Sequence, residues 1–254
     1  MKKKILITAP VRQDIPIFKE YLWSLNRLNI PSEYEVHRYF YLHNSEKLKD
    51  YLAPDEYQLV TDDTILQHSN YTHIWKDSNL QAAAAMRTMA LEKARIENYD
   101  YVFSVDSDII LRKNSLADLL GIGEDVVAKI FWTATISDKP WQYYPNCYEG
   151  RYTNGTAVVD YDRYKKIGIH ETGVTGACIL ISRNIFSNEK VNYFPLKNVW
   201  SSKWEDYAFS IRVHTLFPNI KFYVDTRFPV KHLYREEDYQ LWMSKEKVEW
   251  VKRF

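Results

Sequence analysis

The hydrophobic positions in the first part of the chain follow two alternating patterns. Short apolar runs at 4–9, 34–42 and 57–60 have the length and composition of buried strands. Residues 15–28 instead place apolar side chains three and four positions apart, as on one face of a helix, and 45–52 predicts a shorter helix. This alternation is typical of a largely parallel sheet covered by helices.

The same alternation continues through the rest of the chain. The longest predicted helix, 80–98, leads directly into a strand of aromatic and β-branched residues at 101–105. Residues 133–172 have little periodicity and are rich in Tyr, Gly, Pro and Asn, so we expect a long, partly mobile loop there. The remaining predicted elements are helices at 115–120, 205–217 and 236–254 and strands at 125–132, 174–181 and 220–224.

Composition places these elements in one domain and narrows the choice of partner. A chain of 254 residues with 46% hydrophobic residues is large enough for one substantial core. The formal net charge of +1 gives no reason to expect a nucleic acid as the partner. We therefore predict a single α/β domain, with a mostly parallel mixed central sheet flanked by helices.

The sequence gives no indication of export or membrane insertion. The basic start of the chain is followed by too few apolar residues before Thr8 for the core of a signal peptide. No run approaches the roughly 18 apolar residues that a spanning helix needs. Cys147 and Cys178 are too few for a disulfide framework. We expect a cytoplasmic protein without a transmembrane segment.

Asp106, Ser107 and Asp108 follow the predicted strand 101–105 at the point where it stops. In open α/β sheets, ligands bind outside the carboxyl ends of the strands. Mg²⁺ and Mn²⁺ prefer oxygen ligands, and a typical nucleotide site combines one or two carboxylates with the phosphate oxygens of the substrate. The alternative interpretation is a solvated turn with Asp at its corners.

Arg87 lies in the first half of the predicted helix 80–98, which is apolar on nearly all faces. A helix of that kind is buried, so the guanidinium must pair with an acid or a phosphate rather than with bulk water. Two interpretations stay open, a structural salt bridge to a core carboxylate and binding to a phosphorylated ligand.

Glu205 and Asp206 begin the predicted helix 205–217, directly after Trp204. Acids in a first helical turn are favoured by the helix dipole, so a capping role is the simpler interpretation. The functional alternative makes one of them a general base that removes the proton of a hydroxyl group. His232, beyond the last predicted strand, is either structural or completes a metal site.

Together these residues resemble the GT-A glycosyltransferases, in particular bacterial enzymes of the family 2 type. The resemblance spans most of the chain and depends on the order and spacing of the motifs, because no single motif is diagnostic. It implies a Rossmann-like GT-A domain in which 1–132 bind a nucleotide sugar, 133–235 bind the acceptor and 236–254 form a terminal helix. The matched segments are Thr8-Ala9-Pro10-Val11-Arg12, Arg87, Asp106-Ser107-Asp108, Glu171-Thr172-Gly173-Val174-Thr175-Gly176, Trp204-Glu205-Asp206 and His232.

The resemblance also implies a role for each residue. Asp206, or Glu205 beside it, would be the catalytic base. The residues that would bind the donor nucleotide or its sugar are Thr8, Pro10, Val11, Arg12, Arg87, Asp106 and Ser107. Those that would hold Mn²⁺ or Mg²⁺ against the diphosphate are Asp106, Asp108 and His232, with Asp108 the more direct ligand. Those that would contact the acceptor are Gly173, Val174, Thr175, Gly176 and Trp204.

The implied reaction is the metal-dependent transfer of one sugar from a UDP-sugar or GDP-sugar to a hydroxyl group. The acceptor would be a carbohydrate, a lipid-linked molecule or a protein. If Asp206 is the base, the transfer inverts the anomeric configuration, whereas a retaining enzyme would not need that base. The Q-x-x-R-W motif of processive synthases is absent after Asp206, which favours a single transfer and a role in glycan biosynthesis.

Two other classes of protein share some of these features. A sugar nucleotidyltransferase normally has a glycine-rich loop after its first strand, and residues 9–15 contain no glycine. A non-catalytic carbohydrate-binding or scaffold protein would keep Asp106 and Asp108 only as turn formers.

Two further segments suggest contacts with the acceptor or with a membrane. The aromatic side chains of Trp141, Tyr143, Tyr144 and Tyr148 form a candidate acceptor platform or lid, or pack against the body of the domain. The amphipathic segment 236–254 either docks on the core or lies on a membrane surface as a peripheral contact.

Overall fold

A computed structural model describes residues 2–61, 77–134, 143–150, 158–197, 199, 204–234 and 236–253. The strands are β1 (Lys3–Val11), β2 (Tyr34–His43), β3 (Tyr57–Val60), β4 (Tyr101–Val105), β5 (Ile109–Ile110), β6 (Val126–Lys129), β7 (Trp132–Ala134), β8 (Tyr143–Pro145), β9 (Cys147–Tyr148), β10 (Ile169–Thr172), β11 (Val174–Thr175), β12 (Cys178–Ser182), β13 (Phe222–Asp225) and β14 (Lys231–His232). The helices are α1 (Ile15–Leu25), α2 (Asp77–Ile96), α3 (Ser115–Ile122), α4 (Tyr161–Tyr164), α5 (Arg183–Phe186), α6 (Glu205–Leu216), α7 (Glu236–Leu241) and α8 (Lys247–Arg253). A 3₁₀ helix covers Glu46–Tyr51, and a π-helical turn, Trp242–Glu246, joins α7 to α8.

Eight strands form the central mixed sheet, in the order β10-β13-β6-β12-β4-β1-β2-β3. The run β4-β1-β2-β3 is parallel throughout, and β6 is parallel to β13. β12 is antiparallel to both of its neighbours, and β10 is antiparallel to β13. The predicted α/β class with a mostly parallel mixed sheet flanked by helices is confirmed.

β1 lies inside this sheet and is covered on both faces. Ile5 and Ile7 point to one side, into a cluster that contains Phe18 of α1. Leu6 points to the other side, into a cluster that contains Phe209 of α6. Successive side chains of a strand alternate between faces, so a strand buried on both sides shows the continuous apolar run that the sequence has here.

The expectation of one long loop over 133–172 is wrong for the part of that segment that the structure describes. It contains most of β7 together with β8, β9, α4 and β10, while 135–142 and 151–157 lie outside the described residues, with Trp141 among them. Elements of two to four residues are too short to produce a visible period in the sequence. The predicted strand 174–181 is also two strands in different sheets, β11 paired with β9 and β12 in the central sheet.

The C-terminal helical segment docks on α1, as one of the two sequence interpretations had it. Trp242 is fully buried, and its Nε1 donates a hydrogen bond to Glu20 Oε2 at 2.9 Å. Lys247 Nζ lies 2.8 Å from Glu20 Oε1, and the rings of Trp23 and Trp242 meet edge to face. Within the described residues, no helix combines the length and the apolar character needed to span a bilayer.

A buried ionic cluster joins α3, β6 and β13. Lys129 is fully buried, and its Nζ lies 2.7 Å from Asp118 Oδ2 and 2.7 Å from Asp225 Oδ2. Arg227 also pairs with both carboxylate oxygens of Asp225. Burial raises the pKa of Asp225, but the bonds from Arg227 and the charge of Lys129 outweigh it, so the pKa falls below the ordinary value. The cluster therefore stabilises the folded state while Asp225 is ionised.

Replacing Lys129 with Met should lower the free energy of unfolding at neutral pH by about 3–5 kcal/mol, because it leaves buried carboxylates without their shared cation. The lowered pKa of Asp225 also predicts how this stability difference changes with pH. Its contribution is fully present above the ordinary pKa of 3.8 and is lost as the pH falls through the lower folded value. Urea unfolding at a series of pH values should therefore show the difference between the variants shrinking in acid.

The exposed Lys190 offers a control for the loss of one positive charge. Lys190→Met should unfold at nearly the wild-type urea concentration, since surface substitutions usually change stability by less than about 0.5 kcal/mol. A similar small effect for Lys129→Met would contradict the assigned role of the cluster.

Candidate active site

A cavity of about 110 Å³ lies at the carboxyl ends of β1, β2 and β4. These strands are parallel neighbours, so their last residues meet at one edge of the sheet. The cavity therefore brings together side chains that are far apart in the sequence. The described residues that line it are Pro10, Val11, Arg12, Gln13, His43, Asn79, Ala83, Met86, Arg87, Asp106, Ser107, Asp108 and Glu205.

Arg87 is buried beside this cavity and joins α2 to both β4 and α6. Its Nη2 donates to Asp106 Oδ1 at 2.6 Å, and its Nη1 donates to Ser104 Oγ at 2.9 Å. Its Nε lies 3.7 Å from Glu205 Oε1. Burial acts to lower the pKa of Arg87, but the surrounding acids raise it above its ordinary value, so the guanidinium stays charged. The salt-bridge interpretation is confirmed, and Arg87 also lines the cavity.

A short two-stranded ladder brings His232 to Asp108. β14 pairs with β5 so that His232 stands opposite Ile109, the residue after Asp108. The backbone N–H of Leu233 donates to the carbonyl oxygen of Asp108 at 2.9 Å. As a result His232 Nε2 lies 3.4 Å from Asp108 Oδ1, and His232 Nδ1 lies 2.9 Å from the hydroxyl of Thr133. A contact on each nitrogen fixes the orientation of the imidazole.

The segment 173–177 contains β11, leads into β12 and packs against α6. Its start is held by two backbone contacts at 2.9 Å, from Gly173 N–H to the Tyr148 carbonyl and from His214 Nε2 to the Gly173 carbonyl. Its end is held by Asn146, whose side-chain amide donates to the Gly176 carbonyl at 3.1 Å. Ala177 has φ of 61°, in the left-handed region that side chains disfavour. Strained residues of this kind cluster at functional sites.

Asp206 packs directly on Gly176. A Cβ atom added to Gly176 would lie 1.9 Å from Asp206 Cγ and from its Oδ2, so only glycine leaves room for this carboxyl group. The rings of Tyr148 and Tyr207 pack against each other at 5.5 Å, and burial followed by the charge of Asp206 raises the pKa of Tyr148 to about 12. Asp206 thus lies among a glycine and aromatic side chains, and its charge also acts on Arg87.

The electrostatic environment separates Asp206 from the other acids. Burial, and then the charge of Glu205, raises the pKa of Asp206 well above its ordinary value. Burial also raises the pKa of Asp106 and of Glu205, and Arg87 is the main charge that opposes the rise in both, whereas in Asp206 the opposing effect of Arg87 is smaller than the effect of Glu205. A carboxylate with a raised pKa binds a proton more readily once it is ionised. Groups perturbed in this way by burial and neighbouring charge are candidates for proton transfer.

No group of three or more His, Cys, Asp or Glu side chains among the described residues is arranged to hold a metal ion without help. One carboxylate oxygen of Asp106 already accepts a hydrogen bond from Arg87. Asp108 and His232, which lie 3.4 Å apart, are therefore the best placed pair for a cation. A nucleotide site needs only one or two carboxylates, because the phosphate oxygens supply the other ligands. The residues present therefore fit a cation that arrives together with a diphosphate.

Several residues selected from the sequence lie near the cavity without lining it. Thr8 is buried within β1, Val174 and Thr175 are buried in β11, and Trp204 is the half-buried residue before α6. Their side chains are not part of the described lining.

The cavity also includes residues that the sequence analysis missed. Gln13 follows Arg12 directly, and Arg12 Nη1 donates to Asn79 Oδ1 at 3.2 Å. His43 is the last residue of β2, so the predicted parallel pairing of the first two strands was a signal that could have placed it at this edge. Ala83 lies one turn before Arg87 on the same face of α2, and Met86 directly precedes Arg87.

A family model identifies the chain as a glycosyltransferase, whereas the similar solved structures share only a distant likeness with it. One similar solved structure is 4-diphosphocytidyl-2C-methyl-D-erythritol synthase from Anaerococcus prevotii, at 9% identity and a TM-score of 0.46, and the match covers 98% of this chain and 99% of that one. Another is A197 from STIV, at 13% identity and a TM-score of 0.46, and the match covers 91% of this chain and 85% of that one. No curated protein sequence matches the chain. The family model described as the glycosyltransferase family 25 N-terminal domain matches residues 5–229. The chain therefore belongs to this glycosyltransferase family.

Proposed function

We propose that this protein transfers a single sugar from a UDP-sugar or GDP-sugar to an acceptor hydroxyl group, with the help of a divalent cation. The observation that carries the proposal is the shared cavity of Arg87, Asp106, Asp108 and Glu205, with Asp206 next to Glu205 in the chain. The family supplies the class of reaction, and these residues supply the groups that such a transfer needs.

The charges around the cavity support the proposed cation. Its lining carries the acids Asp106, Asp108 and Glu205 against the bases Arg12 and Arg87. A diphosphate entering this acidic lining alone would be repelled, because like charges repel strongly in a site with little water. We propose that Asp108 and His232, with Asp106 beside them, hold Mn²⁺ or Mg²⁺ against the diphosphate. A bound cation would stabilise the negative charge that develops on the leaving diphosphate.

Asp206 is the proposed catalytic base. The acceptor oxygen forms a bond to the anomeric carbon, the bond from that carbon to the diphosphate oxygen breaks, and the acceptor proton passes to the Asp206 carboxylate. Attack from the face opposite the leaving group inverts the anomeric configuration. Glu205 is a positioning residue in this scheme, because its carboxylate lies near Arg87 and its charge raises the pKa of Asp206.

The acceptor and the location belong to the same proposal. We place the acceptor, a carbohydrate, a lipid-linked molecule or a protein, beside Gly173, Gly176 and Trp204. Gly176 packs on Asp206, and Trp204 lies two residues before it in the chain. Both cysteines are free and buried, which is compatible with the proposed cytoplasmic location, where disulfides are rare.

Replacing Asp108 with Ala should remove the metal-dependent part of nucleotide binding. For the wild type, UDP or GDP with Mn²⁺ at about one hundred times the dissociation constant should stabilise the fold by about 2.7 kcal/mol, because the ligand binds only the native state. Thermal unfolding with and without Mn²⁺ measures this increment. Asp162→Ala, at an exposed aspartate of α4, is the matched control and should keep the full increment.

Two results would count against the proposal in different ways. If neither UDP nor GDP stabilises the wild type in the presence of Mn²⁺, the non-catalytic carbohydrate-binding or scaffold alternative is favoured. If the nucleotide stabilises Asp108→Ala as strongly as the wild type, the cation is not held by Asp108.

A further inference from the structure

A second cavity, of about 680 Å³, is bordered by β7 and shares no described lining residue with the nucleotide site. Its volume falls in the range of about 300–1,000 Å³ typical of sites for small molecules. The rings that line it are Trp132 of β7, Tyr143 of β8 and Tyr161 and Tyr164 of α4, and Lys165 and Arg227 add positive charges. We call this the aromatic cavity.

The rings of the aromatic cavity are held in place but not all buried. Trp132 and Tyr161 are stacked at 6.5 Å with an angle of 26° between their planes, and Tyr144 meets Tyr161 edge to face. Tyr164 is buried and its hydroxyl donates to Thr172. Tyr143, in contrast, is 47% exposed. Aromatic rings that are held by neighbouring rings and still partly exposed form a surface on which a ligand can stack. Core packing alone would not leave such a ring exposed.

Two adjacent residues of β7 lie at the two sites, one at this cavity and the other beside the nucleotide site. Successive side chains of a strand point to opposite faces, so Trp132 and Thr133 face different ways. Trp132 lines the aromatic cavity, and the Thr133 hydroxyl contacts His232, which in turn lies 3.4 Å from Asp108. The reacting hydroxyl group is proposed to lie beside Asp206, and Tyr148 interacts electrostatically with Asp206 as well as with Tyr161 and Tyr144. A chain-like acceptor that reacts there is therefore placed to extend past Tyr148 towards the aromatic rings.

The chemistry of the lining indicates the class of that molecule. The C–H faces of a pyranose ring carry partial positive charge and pack on the electron-rich faces of Trp and Tyr. Tyrosine hydroxyls and the Lys165 ammonium offer hydrogen bonds to sugar hydroxyl groups. The charge of Arg227 is balanced by its two bonds to Asp225, and Lys165 is exposed, so the lining has no concentrated charge that would demand a polyanion.

We propose that the aromatic cavity is a saccharide subsite that binds sugar units of the acceptor at a distance from the hydroxyl group that reacts. This inference rests on the proposed function, because it takes the acceptor to be a glycan, and it assigns the cavity to that glycan rather than to the nucleotide. The subsite would hold an oligosaccharide chain and leave the nucleotide cavity free for the donor.

A glycan array tests this proposal with fluorescently labelled protein in the presence of UDP, GDP and Mn²⁺. The wild type should bind a defined set of oligosaccharides while the nucleotide site is occupied. Truncating an aromatic anchor of an interface typically costs more than about 1.4 kcal/mol, so Tyr143→Ala and Trp132→Ala should each weaken that binding about tenfold or more. The matched control is Tyr51→Ala, at a tyrosine of the 3₁₀ helix Glu46–Tyr51 that is 38% exposed and is not a described lining residue of the aromatic cavity. This variant should bind as the wild type does.

Each outcome separates this inference from the proposed function. Absence of glycan binding, or glycan binding that Tyr143→Ala and Trp132→Ala leave unchanged, overturns the subsite. Nucleotide stabilisation of the same variants is measured in parallel by thermal unfolding with Mn²⁺. Nucleotide binding without glycan binding refutes only the subsite, whereas glycan binding without nucleotide binding refutes the proposed transfer. Retained nucleotide binding in Trp132→Ala also shows that this variant is folded.

Discussion

Replacing Asp206 with Asn is expected to slow sugar transfer by about 10²–10⁴-fold, because an amide cannot accept the proton of the acceptor hydroxyl group. The substitution keeps the size of the side chain. Nucleotide binding in the presence of Mn²⁺ should therefore stay close to the wild-type value. The release of UDP or GDP from a sugar nucleotide, followed in a coupled assay, measures the rate.

The pH dependence gives this prediction a second readout. Only the ionised carboxylate is a base, so kcat/KM falls as the pH drops through the pKa of Asp206 in the free enzyme. Because burial and Glu205 raise that pKa, the acid limb should lie well above the ordinary value of 3.8. The residual activity of Asp206→Asn should lack this limb.

The competing interpretation of Asp206 is a structural one at the start of α6. Asp162→Asn, at an exposed position of the same residue type, controls for the loss of one carboxylate and should keep wild-type activity. If Asp206→Asn instead unfolds at a much lower temperature than the wild type, the capping interpretation gains support. If it is folded and fully active, Asp206 is not the base.

Replacing Gly176 with Ala should reduce transfer by a similar factor, about 10²–10⁴-fold, although it removes no group that takes part in the chemistry. The new methyl group would stand 1.9 Å from Asp206 Cγ, so the carboxyl group must swing away from its present place. A misplacement of about 1 Å can cost about a hundredfold in rate. The same coupled assay applies, and thermal unfolding shows whether the fold survives.

The chain offers a matched control for this change in Gly121. No heavy atom lies within 4 Å of a Cβ built at that position of α3, so Gly121→Ala adds the same methyl group to open space. Alanine is favoured over glycine in a helix by about 1 kcal/mol, so this control should be active and slightly more stable. Full activity of Gly176→Ala would show that the position of Asp206 does not matter for transfer.

Most of the central sheet could be predicted from the sequence because strands such as β1 and β4 are buried apolar runs, whereas the four-residue edge strand β10 was missed. β1 and β4 are continuous apolar runs, and each is followed by a polar segment that ends it. The parallel pairing then follows from the helices between the strands. The small sheets could not be predicted in the same way, since pairs such as β5 with β14 contain two residues each and join segments far apart in the chain.

The same difference applies to the candidate site. Asp106, Asp108 and Arg87 stood out because an acid pair at the end of a strand and a charge in an apolar helix both break the local pattern. Asp206 was selected as an acid at the start of a predicted helix and Gly176 only through the resemblance, and their mutual contact is a property of the folded chain. The aromatic cavity was anticipated only in part, through Tyr143, because Trp132 and Tyr161 are joined by tertiary packing alone.

The fastening of the C-terminal segment to Glu20 has a consequence for how the polypeptide matures. Trp242 and Lys247, which hold this carboxylate, lie 222 and 227 residues further along the chain. Translation proceeds from the N-terminus at about 5–20 residues per second, so the ribosome needs on the order of ten seconds or more to supply them. During that interval Glu20 must stay hydrated, and α1 cannot reach its final packing. This packing of α1 is therefore expected only after Trp242 and Lys247 have left the ribosome.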